Sequence, residues 1–379
     1  MNNWNFQDFT EQLDSLAETN RLRQLVPRRC DGVHLVETDG RRLLNFGGND
    51  YLGLAMEFAV DDVAAGSGAS SLVCGWTEAH QRLADWIAEF ESTESAVLFP
   101  TGFAACSGAI SALAGKGDLI LSDELNHASL IDGCRLSNAT CVVYPHRDYH
   151  FVEESLRNQR DQFRRVWIAT DGVFSMDGHL APLGQLCDIA EEHDACMIVD
   201  EAHGTGLLGD RGSGVCEALD VKDRVAVRIG TLSKAVGCQG GFVAGPKPVI
   251  DFLINHCRPL IFSTSLAPPA VAAAARALKV IRDQPERRHQ VQQMAKRFRQ
   301  ELVIDVGELE SLIPIVPIIV GGDQRALEIS KCLADRGFYV PAIRPPTVPS
   351  GAARLRVSIS AAHDHQMIDQ LADEITDLL

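Results

Sequence analysis

The chain has 379 residues, 46% of them apolar, enough to bury the core of one large domain and a smaller one. A formal charge of -16 argues against a general nucleic-acid or anionic-membrane surface, since phosphate backbones are held mainly by Lys and Arg, so an anionic ligand must meet a local cationic pocket. Eleven scattered cysteines show no CxxC pair and no metal-ligand spacing, which predicts free thiols in a reducing cytosol and no metal. The longest apolar stretch, 266–280, is broken by Pro268, Pro269 and Arg276 and falls short of the roughly 20 residues a membrane span needs. Nothing at the N-terminus resembles a signal peptide, so a cytoplasmic location without a membrane segment is expected.

In chain order, Trp4, Phe6, Phe9, Leu13, Leu16 and Leu22 recur at near-helical spacing, and 33–46 alternates around Asp39-Gly40. These patterns predict an N-terminal helix and a hairpin. Short apolar runs then alternate with helical stretches: 96–99, 119–121, 141–144, 166–169, 195–199, 225–229 and 241–244. Such alternation predicts a mostly parallel sheet covered by helices on both faces, an α/β large domain. A helical region over 267–302, broken near Asp283-Pro285, leads into strand 313–320, helix 324–336, strands 338–343 and 354–359, and helix 364–378. That order suits a small α+β domain, giving units 1–48, 49–285 and 286–379.

The chemistry gathers where the predicted strands end. Lys234 follows one strand, preceded by the hydroxyls of Thr231 and Ser233 and followed by Gly237 and Gln239-Gly240-Gly241. Small residues admit a planar cofactor, hydroxyls suit phosphate oxygens, and a buried amine is partly neutral and nucleophilic. Asp200 ends another apolar run, where an unpaired carboxylate would be costly. As a helix cap or loop ion pair it would be structural; beside Lys234 it suits the protonated nitrogen of a pyridine ring. His203, three residues on, would by itself more often be a structural histidine; beside Lys234 and Asp200 it suits a hydrogen bond to the phenolate oxygen of such a ring. Thr101-Gly102-Phe103 opens a helix after a strand, a setting that binds phosphate or makes a simple turn. His127 begins the next helix, to stack on a ring or to cap, and Ser175 lies past a strand's C-terminal end, where open α/β sheets gather ligands.

The ordered set Asn49-Asp50-Tyr51-Leu52-Gly53-Leu54, Thr101-Gly102-Phe103, Asn126-His127-Ala128-Ser129, Phe174-Ser175-Met176-Asp177-Gly178, Asp200-Glu201-Ala202-His203-Gly204 and Thr231-Leu232-Ser233-Lys234 resembles the α-oxoamine synthases. These are fold-type I, class-II aminotransferase-like enzymes that use pyridoxal 5'-phosphate (PLP) to condense an amino acid with an acyl-CoA, losing CO2. The resemblance runs from about residue 20 to the C-terminus. It implies that Lys234 forms the Schiff base, Asp200 pairs with the pyridine nitrogen, and His203 and Ser175 contact the phenolate side. His127 would stack over the ring and contact the substrate carboxylate, Gly102 and Phe103 would line the cofactor site, and Thr231 would contact the phosphate. Ser263 and Thr264 would reach the phosphate of the other subunit's cofactor, which implies a homodimer.

The string Arg344-Pro345-Pro346-Thr347-Val348-Pro349, with Arg354 and Arg356 after it, most resembles the biotin-pathway branch of that family. That branch implies L-alanine and a pimeloyl thioester, on CoA or a carrier protein, with Arg23, Arg344 and Thr347 touching substrate. The rival readings are glycine with acetyl-CoA, a 5-aminolevulinate or sphingoid-base synthase, a partner subunit that has lost the cofactor, and an aminotransferase. Retention of Lys234, Asp200, His203 and His127 argues against the cofactor-free subunit. Two departures from the family pattern stand out: the stretch between Leu54 and Gly66 is short, and Ser71 stands where many relatives carry Arg.

Overall fold

The computed structural model describes residues 7–60 and 63–379. Trp4 and Phe6, two apolar positions of the expected N-terminal helix, lie outside the described residues. The helix itself, α1, runs Gln7–Glu18. Strands β1 (Arg29–Asp31), β2 (His34–Val36) and β3 (Arg42–Asn45) follow as an antiparallel set, with the β2–β3 turn at Asp39-Gly40 as expected.

The centre of the molecule is a seven-stranded sheet built from β4 (Ser95–Phe99), β5 (Asp118–Asp123), β6 (Thr140–Tyr144), β7 (Arg165–Asp171), β8 (Cys196–Asp200), β9 (Val227–Thr231) and β10 (Gly241–Gly245). Their spatial order is β4-β10-β9-β8-β7-β5-β6, parallel except where β10 runs antiparallel to both of its neighbours. Side chains alternate between two cores, as the period of a strand requires. Leu121, Ile168, Val199 and Phe242 face one buried cluster, and Ile120, Ala169, Ile198 and Val243 face the other. Burial on both faces explains why these strands read as unbroken apolar runs. Helices α2 (Glu78–Glu91) and Pro268–Asp283 cover the first face, and α3 (Gly102–Leu113) and α4 (Ala128–Leu136) cover the second.

Past the paired helices Pro268–Asp283 and Pro285–Glu301, β11 (Ile315–Gly321) pairs antiparallel with the later strand Ala353–Ser358. The expected single strand over 338–343 is two short ones. β12 (Phe338–Tyr339) joins β3 in parallel, and β13 (Ala342–Ile343) joins Ala353–Ser358, designated β14. Pro341 lies between them and lacks an N–H, so the chain changes sheets there instead of continuing one ladder. The N-terminal hairpin is thereby stitched to the C-terminal segment. Phe46 stacks on His363 with ring centroids 4.0 Å apart, and His363 Nε2 donates to Asn45 O at 3.1 Å across the same seam.

Candidate active site

Parallel pairing brings the C-terminal ends of neighbouring strands together. Register pairs Asp171 with Asp200 and Asp200 with Ile229, two residues short of Thr231, so two buried carboxylates stand side by side at the strand ends. Burial, then the charge of Asp200, pushes the Asp171 carboxyl well above its usual range. Asp171 also accepts from the backbone N–H of His127 at 2.8 Å, fixing the start of α4 against β7. Asp200 accepts from Ala202 N at 2.8 Å and from the Cys106 thiol at 2.9 Å, and among the described residues it has no ion-pair partner.

The loop after β9 turns back into β10 and carries Lys234, whose Nζ lies 2.8 Å from His203 Nε2. Desolvation lowers the Lys234 pKa below the ordinary lysine value, with Asp200 and Asp171 opposing the shift. His203 is buried, and burial followed by the nearby Lys234 charge holds its pKa well below the imidazole norm. Its Nδ1 meets the Tyr51 hydroxyl at 2.8 Å, and Tyr51 donates to Asn49 Oδ1 at 3.2 Å. Since Tyr51 O–H is thus committed, His203 Nδ1 donates to it and Nε2 presents a lone pair to Lys234.

Helix α3 begins where β4 ends. Thr101 caps it, accepting from Ala104 N at 3.0 Å, while the first-turn N–H groups of Gly102 and Phe103 have no intrahelical acceptor. A Cβ on Gly102 would meet Thr231 Oγ1 at 2.9 Å, and one on Gly241 would meet Gly102 Cα at 2.6 Å, so this approach of backbones requires glycine. Thr231 Oγ1 contacts Ser233 Oγ at 2.7 Å and donates to Gly240 O at 3.1 Å. His127 is the N-cap of α4: Nδ1 accepts from Ser129 N at 3.3 Å and faces Ser129 Oγ at 2.7 Å, and its ring sits edge-on to Phe103. Burial lowers the His127 pKa.

The structure thus brings Lys234, Asp200, His203, His127, Thr231, Gly102 and Phe103 around the same strand ends. Ser175 is tied to this group through its carbonyl, which accepts from Arg356 Nε at 2.6 Å. Arg23, Arg344 and Thr347 meet elsewhere, around a small cavity of about 80 Å³. There Arg23 Nη2 donates to Thr347 Oγ1 at 3.1 Å, and Arg344 donates to the Asn20 carbonyl. Ser263 and Thr264 stand apart: Thr264 forms a bridge with Ser70, and among the described residues no hydrogen bond joins either one to the Lys234 group. In the same short region Ser67 donates to Leu266 O at 2.7 Å and Ser71 to Ser265 Oγ at 3.1 Å.

Four further residues enter the site that sequence reading assigned no role. Tyr51 lies within the Asn49–Leu54 motif, and Asp171 ends an apolar run much as Asp200 does. Arg356 was signalled by a basic residue inside an apolar strand: it is buried on β14, donates to Asn49 Oδ1 at 3.2 Å and Ser358 Oγ at 2.8 Å, and has no ion-pair partner among the described residues. Cys106 gave no signal, because in a helix sequence it reads as one more small apolar residue.

Residues 41–375 match the family model for aminotransferases of class I and II. The chain is 46% identical over 355 residues to the 8-amino-7-oxononanoate synthase of Methylococcus capsulatus, covering 90% of each. Serine palmitoyltransferase from S. paucimobilis, with a bound PLP-myriocin aldimine, superposes with a TM-score of 0.90 at 28% identity over 98% of this chain and 97% of that one. The 8-amino-7-oxononanoate synthase of Francisella tularensis gives 0.72 at 27% identity over 88% and 97%. On this match of motif order, strand-end geometry and whole-length similarity, the chain belongs to the class I and II aminotransferase family and, within it, to the 8-amino-7-oxononanoate synthases.

Proposed function

We propose that the chain condenses L-alanine with pimeloyl-CoA, or the same acyl group on a carrier protein, to give 8-amino-7-oxononanoate, the free thiol and CO2 in biotin biosynthesis. It is a PLP-dependent acyltransferase. The observation that carries the reading is the Lys234 amine held 2.8 Å from a neutral His203, with Asp200 at the neighbouring strand end.

The residues present suit the cofactor. A buried carboxylate without an ion-pair partner matches a protonated pyridine nitrogen, and the glycine-lined start of α3 beside Thr231 matches a phosphate. On this reading Lys234 would anchor the aldehyde, Asp200 would hold the ring nitrogen, and the Gly102 and Phe103 amides with Thr231 would hold the phosphate. His127 would stack on the ring, and His203 and Ser175 would contact its phenolate side. Bound there, the ring supplies an electron sink for the pair left at the amino acid α-carbon.

The chain's own groups do the rest. Once the incoming amino group has displaced it from the aldehyde, Lys234 Nζ, its proton affinity reduced by burial, is free to take the α-proton, and His203 Nε2 orients it by accepting one of its hydrogens. Arg356, buried and without a carboxylate of its own among the described residues, offers its guanidinium to the alanine carboxylate. Arg23, Arg344 and Thr347 bind the far carboxylate of the pimeloyl chain.

We further propose a homodimer in which Ser263 and Thr264 reach the partner's phosphate. Support comes from the exposed apolar side chains of Leu72, Val73 and Phe262 near these residues, each more than half exposed. A cytoplasmic location fits the free thiols, and among the described residues no helix is long and apolar enough to cross a membrane. The units 1–48, 49–285 and 286–379 are proposed as domains, the last two supported by their separate sheets.

Thiol release measured with L-alanine or glycine against pimeloyl-CoA or acetyl-CoA tests the reading. The alanine and pimeloyl-CoA pair should turn over fastest; preference for glycine with acetyl-CoA would replace it with the glycine acetyltransferase reaction.

A further inference from the structure

The carboxylate of Asp200 is held from two sides. Oδ1 accepts from Ala202 N, within its own turn, and Oδ2 accepts from Cys106 Sγ at 2.9 Å. Among the described residues no other side chain donates to it. Cys106 is 2% exposed and sits one turn into α3, on the helix face that also carries Gly102. The helix has little freedom to shift: a Cβ on Gly108 would meet Cys257 Sγ at 2.7 Å, and one on Gly133 of α4 would meet Ser107 Cα at 3.1 Å. Burial, then the neighbouring Asp200 charge, pushes the Cys106 thiol well above its ordinary pKa, so it remains S–H and a donor through the neutral range.

A thiol is a weak and uncharged donor. An arginine or lysine in its place would neutralise Asp200, and an apolar side chain would leave Oδ2 unheld. We infer that Cys106 is a positioning residue that fixes the Asp200 carboxylate while leaving its charge available to the cofactor ring nitrogen. One helix then sets both ends of the site, its terminal amides at the phosphate and its first inward turn at Asp200. The inference rests on the proposed pairing of Asp200 with the ring.

Two arms on the full-length protein test it. Without PLP, infrared spectra of the wild type, Cys106→Ala and Asp200→Asn isolate the Cys106 S–H stretching band. It should be displaced downward in the wild type and move back in Asp200→Asn; a band indifferent to Asp200→Asn overturns the contact. With PLP, cofactor affinity and the pH dependence of its visible band are measured beside kcat and KM. Cys106→Ala should weaken cofactor binding and lower kcat roughly three- to tenfold, the scale of one ordinary hydrogen bond, as suits a weak thiol donor, with the pH profile displaced and the alanine KM unchanged. Cys106→Ser, which keeps a donor, should restore cofactor affinity. Wild-type affinity and pH profile in Cys106→Ala overturn the inference, and so does a Cys106→Ser as impaired as Cys106→Ala, which would make the role one of packing. A wild type that binds no PLP overturns the cofactor reading underneath it, an outcome the cofactor-free spectra tell apart.

Discussion

The strand-end centre and the seam between the N- and C-terminal segments are built differently. At the centre, Lys234, His203, Asp200 and Cys106 project from or just beyond the strands and helices of one sheet, with Tyr51 reaching in from the turn after β3, all buried or nearly so and each held by a neighbour. At the seam, Arg23 and Arg344 come from an irregular segment and a Pro-rich turn, and meet around a cavity of about 80 Å³. The first arrangement fixes atoms that must exchange protons, where an ångström matters. The second places charge near a flexible acyl chain, where tolerance is wider. Damage at the centre should therefore appear in kcat, and damage at the seam in KM and stability.

The largest effect should come from the centre. Lys234→Ala is expected to cut turnover by roughly a thousandfold or more while the melting temperature changes little, since it removes a base and an anchor but no packed apolar group. Steady-state thiol release and a thermal melt read both quantities; a variant that turns over normally would erase the distinction.

The seam should fail with acid. His363 is 2% exposed, and its neutral form is satisfied at both nitrogens, Nδ1 accepting from Ser360 N at 3.0 Å and Nε2 donating to Asn45 O. Burial lowers its pKa to about 4 from the ordinary imidazole value of about 6.5. Because the folded value lies below the unfolded one, this stability is complete above about pH 6.5 and is lost as pH falls toward 4, up to about 3 kcal/mol. Denaturant unfolding of the wild type and His363→Gln between pH 4 and 7.5 should show a shallower acid slope in the variant.

A smaller effect is expected for Arg23→Ala: about a tenfold rise in KM for pimeloyl-CoA at nearly constant kcat, the pattern of uniform binding lost. A fall in kcat with KM unchanged would move Arg23 into the chemical centre. The smallest should come from Thr101→Ala, which removes the cap of α3 and costs about 1 kcal/mol of stability, read as a shift in denaturation midpoint.

The same contrast explains what could be read from the chain. All seven central strands and the neighbourhood of Lys234 and Asp200 were legible because a parallel sheet buried on both faces writes itself as short apolar runs, and residues just past those runs must converge. His203 and His127 followed from their distance to strand ends. The break at Pro341 was hidden, because 338–343 is apolar throughout and only tertiary pairing tells which sheet each half joins. The contacts of Arg356 and Cys106 were hidden for a related reason, although a basic residue inside an apolar strand marked Arg356 itself: their partners, Asn49 and Asp200, are distant in sequence, so spacing carries no trace of the contact. Ser263 and Thr264 are read from a family pattern, and this chain by itself gives them no bond to the centre.

The central claim is that Lys234 is the lysine that anchors the cofactor. Reduction of the PLP-loaded protein with borohydride, followed by peptide mass analysis, tests it most directly. A pyridoxyl adduct on Lys234, absent when Lys234→Ala is treated in the same way, is the predicted result; an adduct on another lysine, or none, would contradict it.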